Sequence, residues 1–392
     1  MNFKGILNIE FINQYLKMKG NINMRNLKKI KRNLSGKEKL KIISLLLGSS
    51  GLLFVMARYI NGFANIYYKY IYITLVNTVS RGFSLIPFSV YEVILYGFVI
   101  FVFIKIVMYI FFWLTKKLSF KEIIIKSTST FLIYISIFIF LNVISLGVNA
   151  FRSDFVSLTG LKVQESSEEK LIELCDNFKD RLNELDSKIE KDKNGILKLD
   201  NDVKEKGVQA MKDLGKIYPD LQGFYPNPKP YIFSKVMSYQ LLEGETDFTL
   251  EANYNNDMPS FNIPSTICHE LSHIRGFNNE DEANYISFLA CINSKNYEYQ
   301  YSGYLMAYSY CMNDLYNFNL EAFKKINNEL SNNVKIELKT DSLYWNKYRG
   351  EISEMHNDAY DKLLKMSGQE EGIKSYNAVV KLLISGYEVQ FT

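Results

Sequence analysis

Three apolar runs within the first 150 residues constrain this 392-residue chain more than any other feature. Residues 93–114 and 123–146 are each long enough to cross a bilayer alone. Residues 42–57 are shorter and carry Gly48, Ser49, Ser50 and Gly51, but Arg58 and Tyr59 extend them by snorkelling. A backbone in hydrocarbon must satisfy its own polar groups, so each run is read as a helix. Basic residues fix the orientation. Arg25, Lys28, Lys29, Lys31, Arg32, Lys37, Lys39 and Lys41 precede the first run, and Lys116, Lys117 and Lys121 separate the second from the third. The positive-inside rule puts both sets on the cytoplasmic side, which leaves everything after about residue 150 outside. The reading is a multi-pass plasma-membrane protein whose first partner is the lipid bilayer.

Residues 1–41 form the basic cytoplasmic segment and hold no apolar core of a cleavable signal peptide. Met24 is a second candidate start. The net charge of +4 comes largely from this flank and points to no nucleic-acid partner. The membrane part covers residues 42–149. Within it, the stretch 61–89 carries Tyr67, Tyr68, Tyr70 and Tyr72 and is read as an interfacial segment, with a re-entrant span as the alternative. Lys105 lies inside the second run, where it either pairs within the bundle or snorkels toward the cytoplasmic face.

From residue 150 to 392 the composition is that of a soluble domain, outside the membrane. Ser166 with Glu169 reads as a capping box opening a helix. Leu171, Leu174, Phe178, Leu182, Leu185 and Ile189 then recur at spacings of three and four. A second helix is predicted from Asp202 to about Ile217. Residues 248–254 alternate apolar and polar, which predicts a half-buried strand. Tyr301, Tyr304, Leu305, Tyr308, Met312 and Leu315 form a helical stripe, read as core. Cys175, Cys268, Cys291 and Cys311 lack zinc-cluster spacing, and whether they form disulfides stays open.

The chemistry concentrates in one place. His269-Glu270-Leu271-Ser272-His273 is an H-E-x-x-H sequence that uses two of the chain's three histidines. On a helix, residues four apart share a face, so His269 and His273 can hold one metal ion. Glu270 is then placed to act as base toward a water. Gly276 can end the helix in a left-handed cap. Glu280, opening a second helix, is the candidate third ligand, with Asp281 and Glu282 as competitors. His356 and Tyr348 are candidates to stabilise an oxyanion. The metal helix is too short and too closely flanked by Asn and Asp to cross a membrane, which excludes an intramembrane protease.

The pair H-E-x-x-H and Glu280-x-x-Ala283-Asn284 resembles the zincin peptidases whose third ligand is a Glu on a second helix. It is more closely similar to a bacterial membrane family called domain of unknown function 3810. Leu146-Gly147-Val148-Asn149-Ala150-Phe151-Arg152, the metal motif through Gly276, and Glu280 to Asn284 carry that resemblance, from about residue 40 onward. It implies a zinc-peptidase-like fold and supplies no substrate. In zincins a strand such as 248–254 borders the cleft and pairs with extended substrate.

The fold expected is mostly α: a three-helix transmembrane anchor, then an α+β zincin-like metallopeptidase domain with a small sheet. The function expected is zinc-dependent hydrolysis of peptide bonds in proteins or peptides at the envelope. The alternative is a zinc-binding membrane receptor, sensor or assembly factor that cleaves nothing.

Overall fold

The computed structural model describes residues 34–163, 167–366 and 378–391. The basic run from Arg25 to Arg32 and Met24 lie outside the described residues. Among the described residues, three helices are long and apolar enough to cross a membrane: α1 (Gly36–Tyr59), α2 (Val90–Leu114), and α3 (Phe120–Asn142), which continues as π and 3-10 turns to Phe151. Ser35 with Glu38 and Ser119 with Glu122 form reciprocal capping boxes at the starts of α1 and α3. Each box satisfies two of the orphan N–H groups at a helix start. α1 packs along α3. α2 meets α3 at Tyr134, whose ring lies 5.5 Å from Phe98 and 5.3 Å from Phe101. Lys105 leans on the Phe101 ring one turn back, at 5.4 Å, rather than toward the C-terminal end of the helix.

Residues 63–84, within the stretch read as interfacial, pack one face on protein and leave Ile66, Tyr70 and Ile71 exposed. They form short α and π turns, and Tyr67, Tyr72 and Val76 are buried in protein. Tyr70 alone of the four tyrosines is exposed. An aromatic-rich stretch reads alike whether lipid headgroups or a protein surface cover it. At Tyr67 and Tyr72 a protein surface does, and the tyrosine hydroxyls find carbonyl acceptors: Ile144 O for Tyr67, His273 O and Ile274 O for Tyr72.

The rest is mostly helical with one small sheet. α4 (Glu168–Asp186) starts at Ser167, whose side chain accepts from Lys170 N. The cap is thus one residue later than expected, and Ser166 lies outside the described residues. Leu171, Leu174, Phe178, Leu182 and Leu185 are buried along it. α5 (Val203–Ile217) matches the second predicted helix. Then come β1 (Lys229–Pro230), α6 (Ser234–Gln240), β2 (Gly244–Thr246), β3 (Ala252–Tyr254), α7 (Ile263–Ile274), α8 (Glu280–Ile292) and α9 (Tyr297–Phe318). α10 (Leu320–Asn328), α11 (Asn332–Tyr348), α12 (Glu351–Met366) and α13 (Val379–Phe391) close the chain.

The core lies where α7, α8 and α9 pack on one another, with α5 against α7 and α4 against α9. The inner face of α7 is Ile267, Cys268, Leu271 and Ile274, all fully buried. Each large side chain there contributes roughly 1.5–3 kcal/mol. The Tyr301-to-Leu315 stripe on α9 is core, as its period predicts. All four cysteines are free and buried, Cys268 beside Cys291 and Cys175 beside Cys311.

The strand expected over 248–254 is cut to Ala252–Tyr254, because Leu250 takes a positive φ of 55° and the chain turns before it. The sheet order is β1-β3-β2, so β3 is the centre strand and cannot pair with an extended substrate. β2 is the edge strand on the side of α7.

α2 is tied to this domain by an exchange of carboxylates. Glu251 accepts from Val90 N at 3.1 Å and Tyr91 N at 3.0 Å, satisfying orphan donors at the start of α2. In return Glu92 accepts from Ile232 N at 2.7 Å and Phe233 N at 2.8 Å. Lys229 pairs with the buried Glu251 and also donates to Phe83 O. Such a junction fixes the angle between span and domain.

Candidate metal centre

α7 begins with Pro264 in its first turn, where a missing N–H costs nothing. It ends in a Schellman motif: Gly276 N donates to His273 O at 2.8 Å and Phe277 N to Ser272 O at 3.4 Å. Gly276 has φ +77°, and a Cβ there would also press on the Tyr68 ring. This tight stop swings the chain straight into α8, which packs against α7. Its first turn holds Glu280, Asp281 and Glu282, the charge a helix N-terminus favours.

Among the described residues, His269, His273 and Glu280 form the one group of three or more that could hold a metal ion. His269 Nε2 lies 3.0 Å from His273 Nε2 and 3.1 Å from Glu280 Oε2, and His273 Nε2 lies 3.8 Å from Glu280 Oε2. Tetrahedral zinc with bonds of 2.0–2.1 Å needs ligand atoms about 3.3 Å apart. The three side chains are 7–13 % exposed, enclosed yet reachable.

Hydrogen bonds behind the cluster orient its atoms. His273 Nδ1 lies 2.8 Å from Phe277 O, which can only accept, so that nitrogen carries the proton and Nε2 presents its lone pair. His269 Nδ1 is 2.9 Å from Asn284 Oδ1, which sets the same tautomer. Two lone pairs and a carboxylate oxygen therefore converge on one point. Zinc fits this donor set, and without a metal a proton on His269 Nε2, donated to Glu280, relieves the repulsion.

Burial pushes the Glu270 carboxyl up to about 8, against the lowering influence of His269 and Thr246. Thr246 Oγ1 on β2 donates to Glu270 Oε2 at 2.8 Å. Burial would lower His269, but the hydrogen bond and charge of Glu280 outweigh it and raise it to about 9. Burial holds His273 down to about 4. Burial also opposes ionisation of Glu280, yet its histidine neighbours and the Tyr360 hydroxyl hold it at about 2.

Of the three acidic candidates, Glu280 joins the histidines. Glu282 instead accepts from Phe155 N and caps the short helix Phe155–Thr159. Burial raises its carboxyl to about 8. Asp281 is outside the cluster. Tyr348 is engaged elsewhere: its hydroxyl donates to Asp257 at 2.9 Å, as does that of Tyr344 at 3.1 Å. His356 stacks on Tyr360, ring centroids 5.8 Å apart, and its Nδ1 is buried with no hydrogen-bond partner.

Sequence reasoning missed Tyr360, whose hydroxyl donates to Glu280 Oε1 at 2.7 Å. It missed Thr246 and also Gly244, where any Cβ would meet the Glu270 carboxylate. Asn284 was visible as the last residue of the E-x-x-A-N pattern, though its bond to His269 was not.

No curated protein and no solved structure matches this chain. A model of the protein family of unknown function DUF3810 matches residues 67–384, a span that holds α2, α3, the sheet and the whole metal cluster. By that match the chain belongs to the DUF3810 family.

Proposed function

We propose that this protein is a membrane-anchored, zinc-dependent peptidase of zincin type, with α1 to α3 spanning the cell membrane and the metal domain on its outer face. The single observation that carries the reading is the convergence of His269, His273 and Glu280 lone pairs on one point beside a fourth group, Glu270, that is not part of the cluster. A purely structural site has no need of such a base.

Bound zinc would supply Lewis acidity toward a water and toward the substrate carbonyl. Glu270 takes a proton from the attacking water and later gives it to the leaving amine nitrogen, so one water is added across the broken C–N bond. Thr246 holds Glu270 by one oxygen and leaves the other free. The open edge of β2 takes the role first assigned to the 248–254 strand, pairing with an extended substrate backbone. His356 keeps the oxyanion role as candidate donor, since α12 brings it beside Tyr360; Tyr348 does not, being committed to Asp257.

A second reading, a sensor that binds zinc without turnover, draws on the carboxylate exchange between Glu251 and Glu92, which would carry movement between domain and span. One experiment separates them. Full-length protein in detergent is assayed for zinc and for cleavage of a casein-type substrate, wild type beside Glu270→Gln, His273→Ala, Glu280→Ala and Glu282→Gln. The peptidase reading expects one zinc in wild type, Glu270→Gln and Glu282→Gln, none in the other two, and cleavage lost in Glu270→Gln. Zinc bound with no cleavage of any envelope protein favours the sensor. A folded wild type without zinc overturns both.

A further inference from the structure

The loop into α6, and α6 itself, present a face left open among the described residues: Ile232 is 60 % exposed, Phe233 58 % and Val236 43 %. Three large apolar side chains open to water on so short a segment would be costly in a soluble protein. Their position gives the reason. Phe233 meets Tyr96 of α2 edge to face, ring centroids 5.2 Å apart. α2 has 25 residues, about 37 Å at 1.5 Å per residue, whereas the hydrocarbon layer is about 30 Å thick. Counting about 20 residues back from Leu114 sets the far boundary of that layer near Leu95, so Tyr96 marks it. Phe233 therefore lies at the level where the span leaves the hydrocarbon. The backbone N–H groups of Ile232 and Phe233 are held by Glu92 on the same helix, so this height is fixed.

A second point of the domain approaches the same end of the spans. Phe248, in the turn before β3, packs on Tyr91 of α2 at 5.5 Å and on Phe138 of α3 at 5.9 Å. Phe138 is one turn from the end of α3. The domain thus meets the bilayer boundary at two separated aromatic residues, one filling the gap between spans and one facing outward.

We infer that the Ile232, Phe233 and Val236 face is seated in the bilayer interface at the N-terminal end of α2, a lipid contact in addition to the three spans. Lys235, exposed on the same segment, is placed to reach lipid phosphates while its stem lies along the apolar surface. Gly244, which opens the edge strand β2 beside Glu270, follows α6 by only four residues. Resting on the peptidase reading, this holds the cleft at the membrane surface and selects polypeptides whose scissile segment is itself held there.

The test needs no activity. Full-length protein carrying Trp113→Phe, Trp345→Phe and Phe233→Trp is reconstituted in phosphatidylcholine vesicles, with or without bromine on the upper acyl chain. The expected result is a blue-shifted emission that is lost in brominated lipid, while Tyr316→Trp on α9, 55 % exposed, keeps its emission in the same background. Because the two Trp→Phe changes could disturb the fold, Val236→Cys carrying a spin label provides a second measurement in the otherwise native chain, whose own cysteines are buried. Higher accessibility to oxygen than to a water-soluble nickel chelate supports lipid contact. Water-like accessibility at Val236 together with unquenched emission at position 233 overturns it, whatever the fate of the peptidase reading.

Discussion

The Tyr72 hydroxyl donates to the carbonyl oxygen of His273 at 3.1 Å, and to that of Ile274 at 3.2 Å. A residue from the stretch between the first two spans thus closes the helix that carries both metal-binding histidines. Around it, Arg152 lies 3.6 Å over the Tyr68 ring and donates to Arg275 O at 2.8 Å. Arg275 in turn donates to the Tyr68 hydroxyl at 3.0 Å. The spans and the metal helix are parts of one packed unit at this end.

Tyr72→Phe is expected to keep the ring in place, to leave the Ile274 carbonyl without this donor, and to leave the His273 carbonyl with backbone donors such as the Gly276 N–H. Loss of that hydroxyl should cost about 1–3 kcal/mol. A thermal melt of the full-length protein checks it, read as a midpoint a few degrees lower. An unchanged midpoint would mean that water replaces the hydroxyl and that the clamp contributes nothing.

Tyr360→Phe tests the residue behind the third ligand. Its hydroxyl bonds Glu280 Oε1, which leaves Oε2 toward the histidines. Losing such a partner typically costs about 10–100-fold in metal affinity. Competition against a chelator should report a weakening in that range, with Tyr348→Phe, whose hydroxyl serves Asp257, binding zinc as wild type does.

The parts legible in the sequence were those whose signal is local. His269 and His273 share a face because they are four apart, and Glu280 follows so closely that a single glycine stop decides where it points. The periods on α4, α5 and α9 announced their buried faces for the same reason. Tyr360 could not be found this way, since it lies 80 residues beyond Glu280 and no local spacing links the two. The burial of Tyr67 and Tyr72 was not legible, because composition does not distinguish a lipid interface from a protein one. The 248–254 strand was overextended because alternation cannot reveal a positive φ at Leu250.

Zinc binding should release a proton near neutral pH. In a zinc-stripped sample Glu280 keeps His269 protonated up to about 9, so the metal must displace that proton. Affinity should therefore climb about tenfold per pH unit and level off near pH 9. His273, held near 4 by burial, adds no release in this range. Stability of the stripped protein carries the matching sign. The raised His269 contributes fully below its unfolded value of about 6.5, and that contribution is lost as pH rises through about 9. Calorimetric titration in buffers of different ionisation heat measures the release; finding none between pH 6 and 8 would contradict the pairing of His269 with Glu280.

Gly244→Ala separates metal binding from chemistry. A methyl at this point of β2 collides with the Glu270 carboxylate, which has the β2 backbone on one side and the buried core of α7 on the other. The carboxylate must then leave the position that Thr246 gives it, while His269, His273 and Glu280, which the added methyl does not touch, stay where they are. Zinc content should be unchanged and turnover of any cleaved substrate should fall by at least about 100-fold, the scale of losing a positioned general base. Equal loss in Gly244→Ser would attribute the effect to the added Cβ. Full activity in both variants would mean that the Glu270 carboxylate works from a different rotamer, and that β2 does not set its place.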